Sequence, residues 1–201
     1  MRTSRIFDFF FVLFLVVGLS LVAFNRQAIQ DWWRLRGYTP SDQVSQLATS
    51  AGMNAEGRRL FYISNPQFVS AEEMAQACAP ENLGCINQRG QIFLLAVNPT
   101  KSQDDVIVTA AHEMLHQAYQ RIPSSQQAVL YKLGQAYVDS SDNDALKQQL
   151  MGYKDDNERA DEMHSILGSE VLDLPSGLIQ HYDQYFSERS LSTKAYDRTQ
   201  L

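Results

Sequence analysis

Residues 106–119 read VIVTAAHEMLHQAY, and this stretch decides which fold we expect for the chain. It carries only one acidic residue, Glu113, and contains neither proline nor glycine, as expected of a helix that is buried in a core. Ser102 and Asp105, just before it, form the side-chain pattern of a helix N-terminus. We therefore predict a buried helix over residues 103–121.

The predicted helix contains the pattern HExxH, formed by His112, Glu113 and His116. Histidines at positions i and i+4 lie on the same face of a helix, so both imidazoles can reach one Zn²⁺ at about 2.0–2.1 Å. Glu113 then lies beside the metal and can act as general base on a metal-activated water. The alternative is a pair of core histidines that are satisfied by hydrogen bonds.

A catalytic zinc needs a third protein ligand, and residues 155–165 form the densest acidic cluster downstream. Glu158 and Glu162 share one face of a predicted helix. We predict Glu158 as the third metal ligand and Glu162 as the carboxylate that accepts the free N–H of a ligating histidine. Asp161 competes for that supporting role, and His164 is a reserve ligand. The alternative for Glu158 is a solvated carboxylate at a helix start.

The motifs HEMLH, residues 112–116, and NERADE, residues 157–162, resemble those of the gluzincin branch of zinc metallopeptidases. The resemblance implies two histidine ligands, a catalytic glutamate, a glutamate ligand and a supporting acid, here His112, His116, Glu113, Glu158 and Glu162. That group commonly has Asp as the supporting acid, and this chain has Glu162 instead. The resemblance also implies a strand that pairs with extended peptide beside the cleft, for which residues 91–97 are the candidate.

The expected fold class is α+β and zincin-like, with a small N-terminal β-sheet followed by a mostly helical part. Residues 59–64, RLFYIS, have the composition of a strand between turn signals. Residues 85–87 and 91–97 are expected to form a hairpin, and Ser70 with Glu73 a capping box. Further helices are predicted near residues 125–139, 143–151, 157–167 and 177–187.

The N-terminal segment 6–24 is apolar except for Asp8 and is long enough to cross a bilayer core of roughly 30 Å. We predict an uncleaved transmembrane helix, because no small-residue cleavage site follows Ala23. A cleaved signal peptide and a buried core helix are the alternatives. The remaining segments are a short tail over 1–5, a juxtamembrane linker over 25–40, a zincin-like domain over 41–190 and a C-terminal tail over 191–201.

Cys78 and Cys85 are close enough in sequence to form a small disulfide, and two free buried thiols are the alternative. Positive charges are almost balanced on the two sides of the apolar segment. A disulfide favours an oxidising compartment. We therefore predict a single-pass membrane protein whose soluble domain is extracytoplasmic.

The formal charge of −6 and the pI near 5.2 argue against a nucleic-acid partner. The predicted function is a membrane-anchored zinc-dependent metallopeptidase that hydrolyses a peptide or protein substrate with Glu113 as general base. The alternative is a non-catalytic, membrane-anchored binding module on the same scaffold. The candidate donors to the transition state are His164, His181, Tyr182 and Tyr185.

Overall fold

The computed structural model describes residues 10–11, 13–20, 22, 25–78, 82–87, 89–96 and 102–200. The chain divides into two compact units, residues 1–39 and 40–201. In the first unit, residues 10, 11, 13–20 and 22 are helical, and helix α1 (Arg26–Arg36) follows a turn at Asn25. Helix α1 occupies most of the segment that we predicted as a linker.

The predicted transmembrane helix over 6–24 has to be corrected. Within the part of the chain that the structure describes, no helix combines the length and the apolar character needed to cross a membrane. Such a crossing takes about 20 residues. Residues 6–9, 12, 21, 23 and 24 of the predicted span lie outside the described residues. This finding contradicts the single-pass topology, and we withdraw it together with the extracytoplasmic placement of the domain.

The second unit holds nine helices and three strands among its described residues. The helices are α2 (Asp42–Ser50), α3 (Ala55–Ile63), α4 (Ala71–Ala77), α5 (Gln103–Tyr119), α6 (Ser124–Ser140), α7 (Asp144–Met151), α8 (Asp156–Ser169), α9 (Ser176–Tyr182) and α10 (Ser190–Thr199). The strands are β1 (Gln67–Val69), β2 (Gly84–Ile86) and β3 (Ile92–Leu95). The predicted helical segments between residues 103 and 169 are thus confirmed to within a few residues.

The expected fold class was wrong. The molecule is mostly helical, with one small three-stranded sheet, and a zincin fold is not confirmed. Helices α2 and α3 precede the first strand, and α4 lies between β1 and β2, so the part that we expected to be a β-sheet is itself largely helical. The main departure from our prediction is in residues 59–64, which we expected to form a strand and which are helical except for Ser64.

Helix α3 forms where we predicted the strand RLFYIS because local helix signals act together. The Asn54 side chain accepts hydrogen bonds from the backbone N–H groups of the first turn, as a helix cap does. Leu60, Phe61 and Ile63 are buried. Their spacing places them on one side of a helix, whereas in a strand Leu60 and Phe61 would point to opposite faces. Burial of this side outweighs the β-propensity of the aromatic residues.

The sheet has the strand order β1-β3-β2, with β3 in the centre. Strand β3 runs parallel to β1 and antiparallel to β2, and Cys85 is paired with Phe93. The predicted hairpin is therefore confirmed, although residue 97 lies outside the described residues. Cys78 and Cys85 form a disulfide with a Cα–Cα distance of 6.2 Å, which links the end of α4 to β2.

Helix α5 is the centre of the second unit and packs against α3, α8 and α10. It begins with the predicted capping box between Ser102 and Asp105. Ala110, Ala111, Met114 and Leu115 are completely buried. Helix α8 approaches α5 closely at Gly168, where an added Cβ would lie 2.5 Å from Cδ1 of Leu115. These contacts set the position of α8 relative to the HExxH motif.

The C-terminal residues that we predicted as a tail form helix α10. Its buried side consists of the small residues Ser192, Thr193 and Ala195, which allow close packing against α5. Near its end, the Arg198 guanidinium donates hydrogen bonds of 2.6 and 2.8 Å to the carboxylate of Asp104, at the start of α5. The C-terminal helix is therefore an integral part of the second unit.

Candidate metal centre

Helices α5 and α8 bring His112, His116 and Glu162 together. The potential ligand atoms of these three residues all lie within 4.8 Å of one another. The Nε2 atoms of the two histidines are 3.1 Å apart. Two nitrogen ligands of a tetrahedral zinc are about 3.3 Å apart, given metal–nitrogen distances near 2.0–2.1 Å. The donor set and its spacing therefore fit a divalent metal ion such as Zn²⁺.

Glu162 lies close to the Nε2 atoms of both histidines, where a third ligand could bind the same ion. Its Oε2 atom lies 3.4 Å from Nε2 of His112, and its Oε1 atom lies 3.7 Å from Nε2 of His116. Glu158, which we predicted as the third ligand, is exposed and lines the neighbouring cavity but is not in this group. The ligand role that we assigned to Glu158 thus fits Glu162 better.

The Nδ1 atoms of both histidines face carboxylates on the other side of the rings. Nδ1 of His116 lies 2.8 Å from Oδ1 of Asp161, and Nδ1 of His112 lies 3.6 Å from Oε1 of Glu170. Carboxylates in these positions favour the tautomer with the proton on Nδ1, which leaves Nε2 free to bind a metal. Asp161, the alternative for the supporting role, therefore occupies it at His116.

Glu170 was missed by sequence reasoning because it follows the end of α8, outside the acidic cluster that we searched. Its side chain is only 12% exposed. The only sequence feature that pointed to a role for Glu170 was its acidic side chain, since neither helical spacing nor the motif resemblance connects Glu170 with His112. The contact depends on how α8 and α5 pack.

Two tyrosines contact the carboxylates of Glu162 and Glu170. The Tyr153 side chain is hydrogen-bonded to Glu162, and the Tyr196 side chain is hydrogen-bonded to Glu170. Burial, together with the nearby Glu162, raises the pKa of Tyr153 to about 12. Tyr153 therefore remains protonated at neutral pH and donates its hydrogen bond. Tyr153 lies in the connection between α7 and α8, and Tyr196 lies in α10.

Glu113 is buried and lines the same cavity as the two histidines. Burial raises the pKa of its carboxyl group, and this outweighs the opposing effect of His112 and His116. Strand β2 lies directly against this part of α5. A Cβ added to Gly84 would approach Cγ2 of Thr109 to 2.4 Å and Cγ of Glu113 to 3.3 Å. Only glycine permits this close approach of the strand.

The candidate metal site opens into a cavity of about 930 Å³ between β2, α5, α8 and the end of α10. Among the described residues, all the charged side chains apart from histidine that line it are acidic, namely Asp105, Glu113, Glu158, Asp161, Glu162 and Glu170. Burial by itself lowers the pKa of His112, but Glu162, Glu170 and Glu113 outweigh it and raise this pKa to about 10. The surrounding carboxylates thus favour a positive charge at His112.

The residues that we predicted as reserve ligand and transition-state donors do not line this cavity. His164 is buried, and its Nε2 atom lies 2.8 Å from Nε2 of His181. The Tyr182 hydroxyl donates a 2.7 Å hydrogen bond to the carbonyl of His164. Burial lowers the pKa of His164, and it lowers that of His181 to about 4. Together with Tyr185, these side chains form a separate aromatic cluster.

Comparisons of the chain with protein-family models, with curated proteins and with solved structures found no match.

Proposed function

We propose that this chain is a zinc-dependent metallopeptidase in which His112, His116 and Glu162 bind the metal and Glu113 is the general base. The observation that carries the proposal is the convergence of the three ligand atoms within 4.8 Å, on the wall of a cavity that also contains the buried Glu113. Two imidazoles and one carboxylate are a common ligand set of catalytic zinc sites, which leave a further position open.

The ligand set determines the chemistry that the metal contributes. When bound, Zn²⁺ is a Lewis acid that polarises a carbonyl group and lowers the pKa of a coordinated water to about 7. Asp161 and Glu170 hold the imidazole rings of His116 and His112 so that the Nε2 atoms face Glu162.

Glu113 moves the proton in this reaction. The raised pKa of Glu113 is closer to neutral pH than that of an ordinary carboxyl group. A group with such a pKa can both accept and release a proton. The carboxylate accepts a proton from the attacking water as the carbon–oxygen bond forms. It then delivers this proton to the amide nitrogen, and the carbon–nitrogen bond breaks. The products are a carboxylic acid and an amine, and no covalent intermediate with the protein forms.

We propose a different strand for substrate binding from the one that we predicted. Strand β3, within the predicted segment 91–97, is paired on both sides and has no free edge. Strand β2 is at the edge of the sheet and lines the cavity. The carbonyl of Leu83 accepts a hydrogen bond from the N–H of Leu95, and the N–H of Asn87 donates one to the carbonyl of Gln91, so both groups point towards β3. By the alternation of antiparallel pairing, the backbone groups of Gly84 and Ile86 point towards the other side, and an extended peptide pairs with them.

A donor to the transition state is available in Tyr153, which lines the cavity and is hydrogen-bonded to Glu162. Because its pKa is raised to about 12, the hydroxyl keeps its proton at neutral pH. When substrate binds, the hydroxyl can change its acceptor from Glu162 to the oxyanion that develops on the scissile carbonyl, because it has a single proton to donate. We therefore propose Tyr153 for the role that we predicted for His164, His181, Tyr182 or Tyr185.

The test is zinc content, measured by mass spectrometry on the full chain and on three variants. We expect about one Zn²⁺ per chain in the wild type and in Glu158→Ala, and loss of the metal in His116→Ala and Glu162→Ala. A peptide library then tests for hydrolysis by the wild type. Absence of zinc even after it is supplied contradicts the proposal. Bound zinc without cleavage favours the alternative of a non-catalytic binding module.

A further inference from the structure

We propose that helix α10 is part of the metal centre, because Tyr196 acts through Glu170 to hold the ligand His112 in its metal-binding orientation. Tyr196 is thus a positioning residue, separated from the metal by two side chains. This inference rests on the proposed function, since it requires that His112 binds a metal. It assigns a role to the C-terminal segment, which we predicted to be a tail over 191–201.

Glu170 needs external support to face His112. It lies just after the last residue of α8, with φ −116° and ψ −26°, where the helix no longer determines the direction of the side chain. Asp161, by contrast, projects from the middle of α8 and lies 2.8 Å from Nδ1 of His116. The corresponding distance from Glu170 to His112 is 3.6 Å. His112 is therefore the ligand whose orientation depends on contacts outside α8.

Helix α10 and Arg189, the residue before it, provide this support on both sides of Glu170. The Arg189 guanidinium donates hydrogen bonds to the carbonyls of Leu167, Gly168, Val171 and Leu172. The Ser192 hydroxyl donates a 2.9 Å hydrogen bond to the carbonyl of Ser169. Both donors are held by the packing of α10, and the acceptors flank Glu170 in the chain. The backbone that carries Glu170 is thus fixed by the C-terminal residues.

Tyr196 supplies the remaining contact, to the carboxylate itself. Its hydroxyl is hydrogen-bonded to Glu170, and both side chains line the cavity. Burial and the adjacent Glu170 raise the pKa of Tyr196, so the hydroxyl is protonated at neutral pH and donates. A carboxylate that accepts from Tyr196 still has acceptor capacity for the Nδ1 proton of His112. The hydroxyl therefore restrains the carboxylate without replacing His112 as its partner.

The position of Tyr196 follows from how α10 is anchored. Ala195, the residue before it, is completely buried against the core, as is Ser192 one turn earlier. At the following turn, Arg198 binds Asp104 at the start of α5, the helix that also carries His112. Contacts on both sides of Tyr196 thus hold its ring at the cavity wall. Loss of the hydroxyl alone removes the restraint on Glu170 and leaves this packing intact.

The experiment measures the zinc dissociation constant of the full chain by competition with a chromophoric chelator. We expect about tenfold weaker binding in Tyr196→Phe, at the lower end of the 10–100-fold effects known for residues that support metal ligands. Glu170→Gln should weaken binding at least as much, and the double variant should be no weaker than Glu170→Gln alone. Tyr131→Phe, the same chemical change on α6 away from the cavity, should bind zinc like the wild type.

Two further readouts separate positioning from a general loss of structure. The thermal midpoint of the metal-free chain should be the same in Tyr196→Phe and Tyr131→Phe. Nitrogen-15 NMR of the zinc-loaded chain should show a changed Nδ1 signal for His112 and an unchanged one for His116. Wild-type affinity in Tyr196→Phe, or additive losses in the double variant, would overturn the inference and leave the proposed function standing. A wild-type chain that binds no zinc would overturn both.

Discussion

The carboxylate of Asp161 lies 2.8 Å from Nδ1 of His116, and this contact joins helix α8 to helix α5. This contact helps to set how α8 is rotated about its own axis. In this rotation the next residue, Glu162, faces the Nε2 atoms of both histidines. Glu158, one turn earlier, is left at the cavity wall, where it is exposed. The pairing of Asp161 with His116 thus explains why Glu162 is the better candidate for the third ligand.

Replacement of Asp161 by Asn tests this pairing. The amide can still contact the imidazole but no longer offers a charged acceptor, so we expect zinc affinity to fall about 10–100-fold. The measurement is competition with a chelator of known affinity. Asp156→Asn, in the first turn of the same helix, removes a charge that is largely exposed, and its zinc affinity should not change. Equal affinity in the two variants would contradict the role of Asp161.

Replacement of Glu113 by Gln tests the general base. We expect one Zn²⁺ to be retained, because Glu113 is not among the three grouped ligands, while peptide cleavage falls about 10²–10⁴-fold. Zinc content and cleavage of a responsive library peptide are measured on the same preparation. Glu72→Gln, on the exposed side of α4, serves as the control and should cleave normally. Undiminished cleavage by Glu113→Gln would rule out the mechanism.

Zinc binding should depend on pH through His112. In the metal-free chain the pKa of His112 is raised to about 10, so the imidazole carries a proton at neutral pH. Zinc must displace this proton, and each pH unit below 10 therefore weakens binding about tenfold for one proton displaced. Affinity rises with pH, and about one proton is released at pH 7. Calorimetry in buffers of different ionisation enthalpy measures this release, and a value near zero would contradict the assignment.

Replacement of Gly84 by Ala tests the role of strand β2 in substrate binding. The added Cβ would lie 2.4 Å from Cγ2 of Thr109, so the strand must move away from α5. We expect destabilisation of about 1–3 kcal/mol and a raised KM with zinc content unchanged. Adding Thr109→Ser removes the clashing methyl group and should restore part of the loss. A wild-type KM in Gly84→Ala would show that the substrate does not use this edge.

Local chemistry alone predicted the elements around the site. The capping residues Ser102 and Ser70 mark helix starts through hydrogen bonds within one turn, and the spacing of His112 and His116 places them on one helical face. These features depend on neighbours close in sequence. Residues 59–64 were assigned wrongly because burial of one side of α3 in the assembled core outweighs their β-propensity.

The sequence by itself thus determined that two histidines and a glutamate share one buried helix, and that an acidic helix follows. Only the tertiary structure decided which acid completes the group, because the rotation of α8 against α5 is set by packing and by the Asp161–His116 contact. The same holds for Glu170 and Tyr196, which reach the site from beyond α8 and from α10. Helical periodicity is a property of neighbouring residues, whereas contacts between distant segments depend on how the whole chain packs.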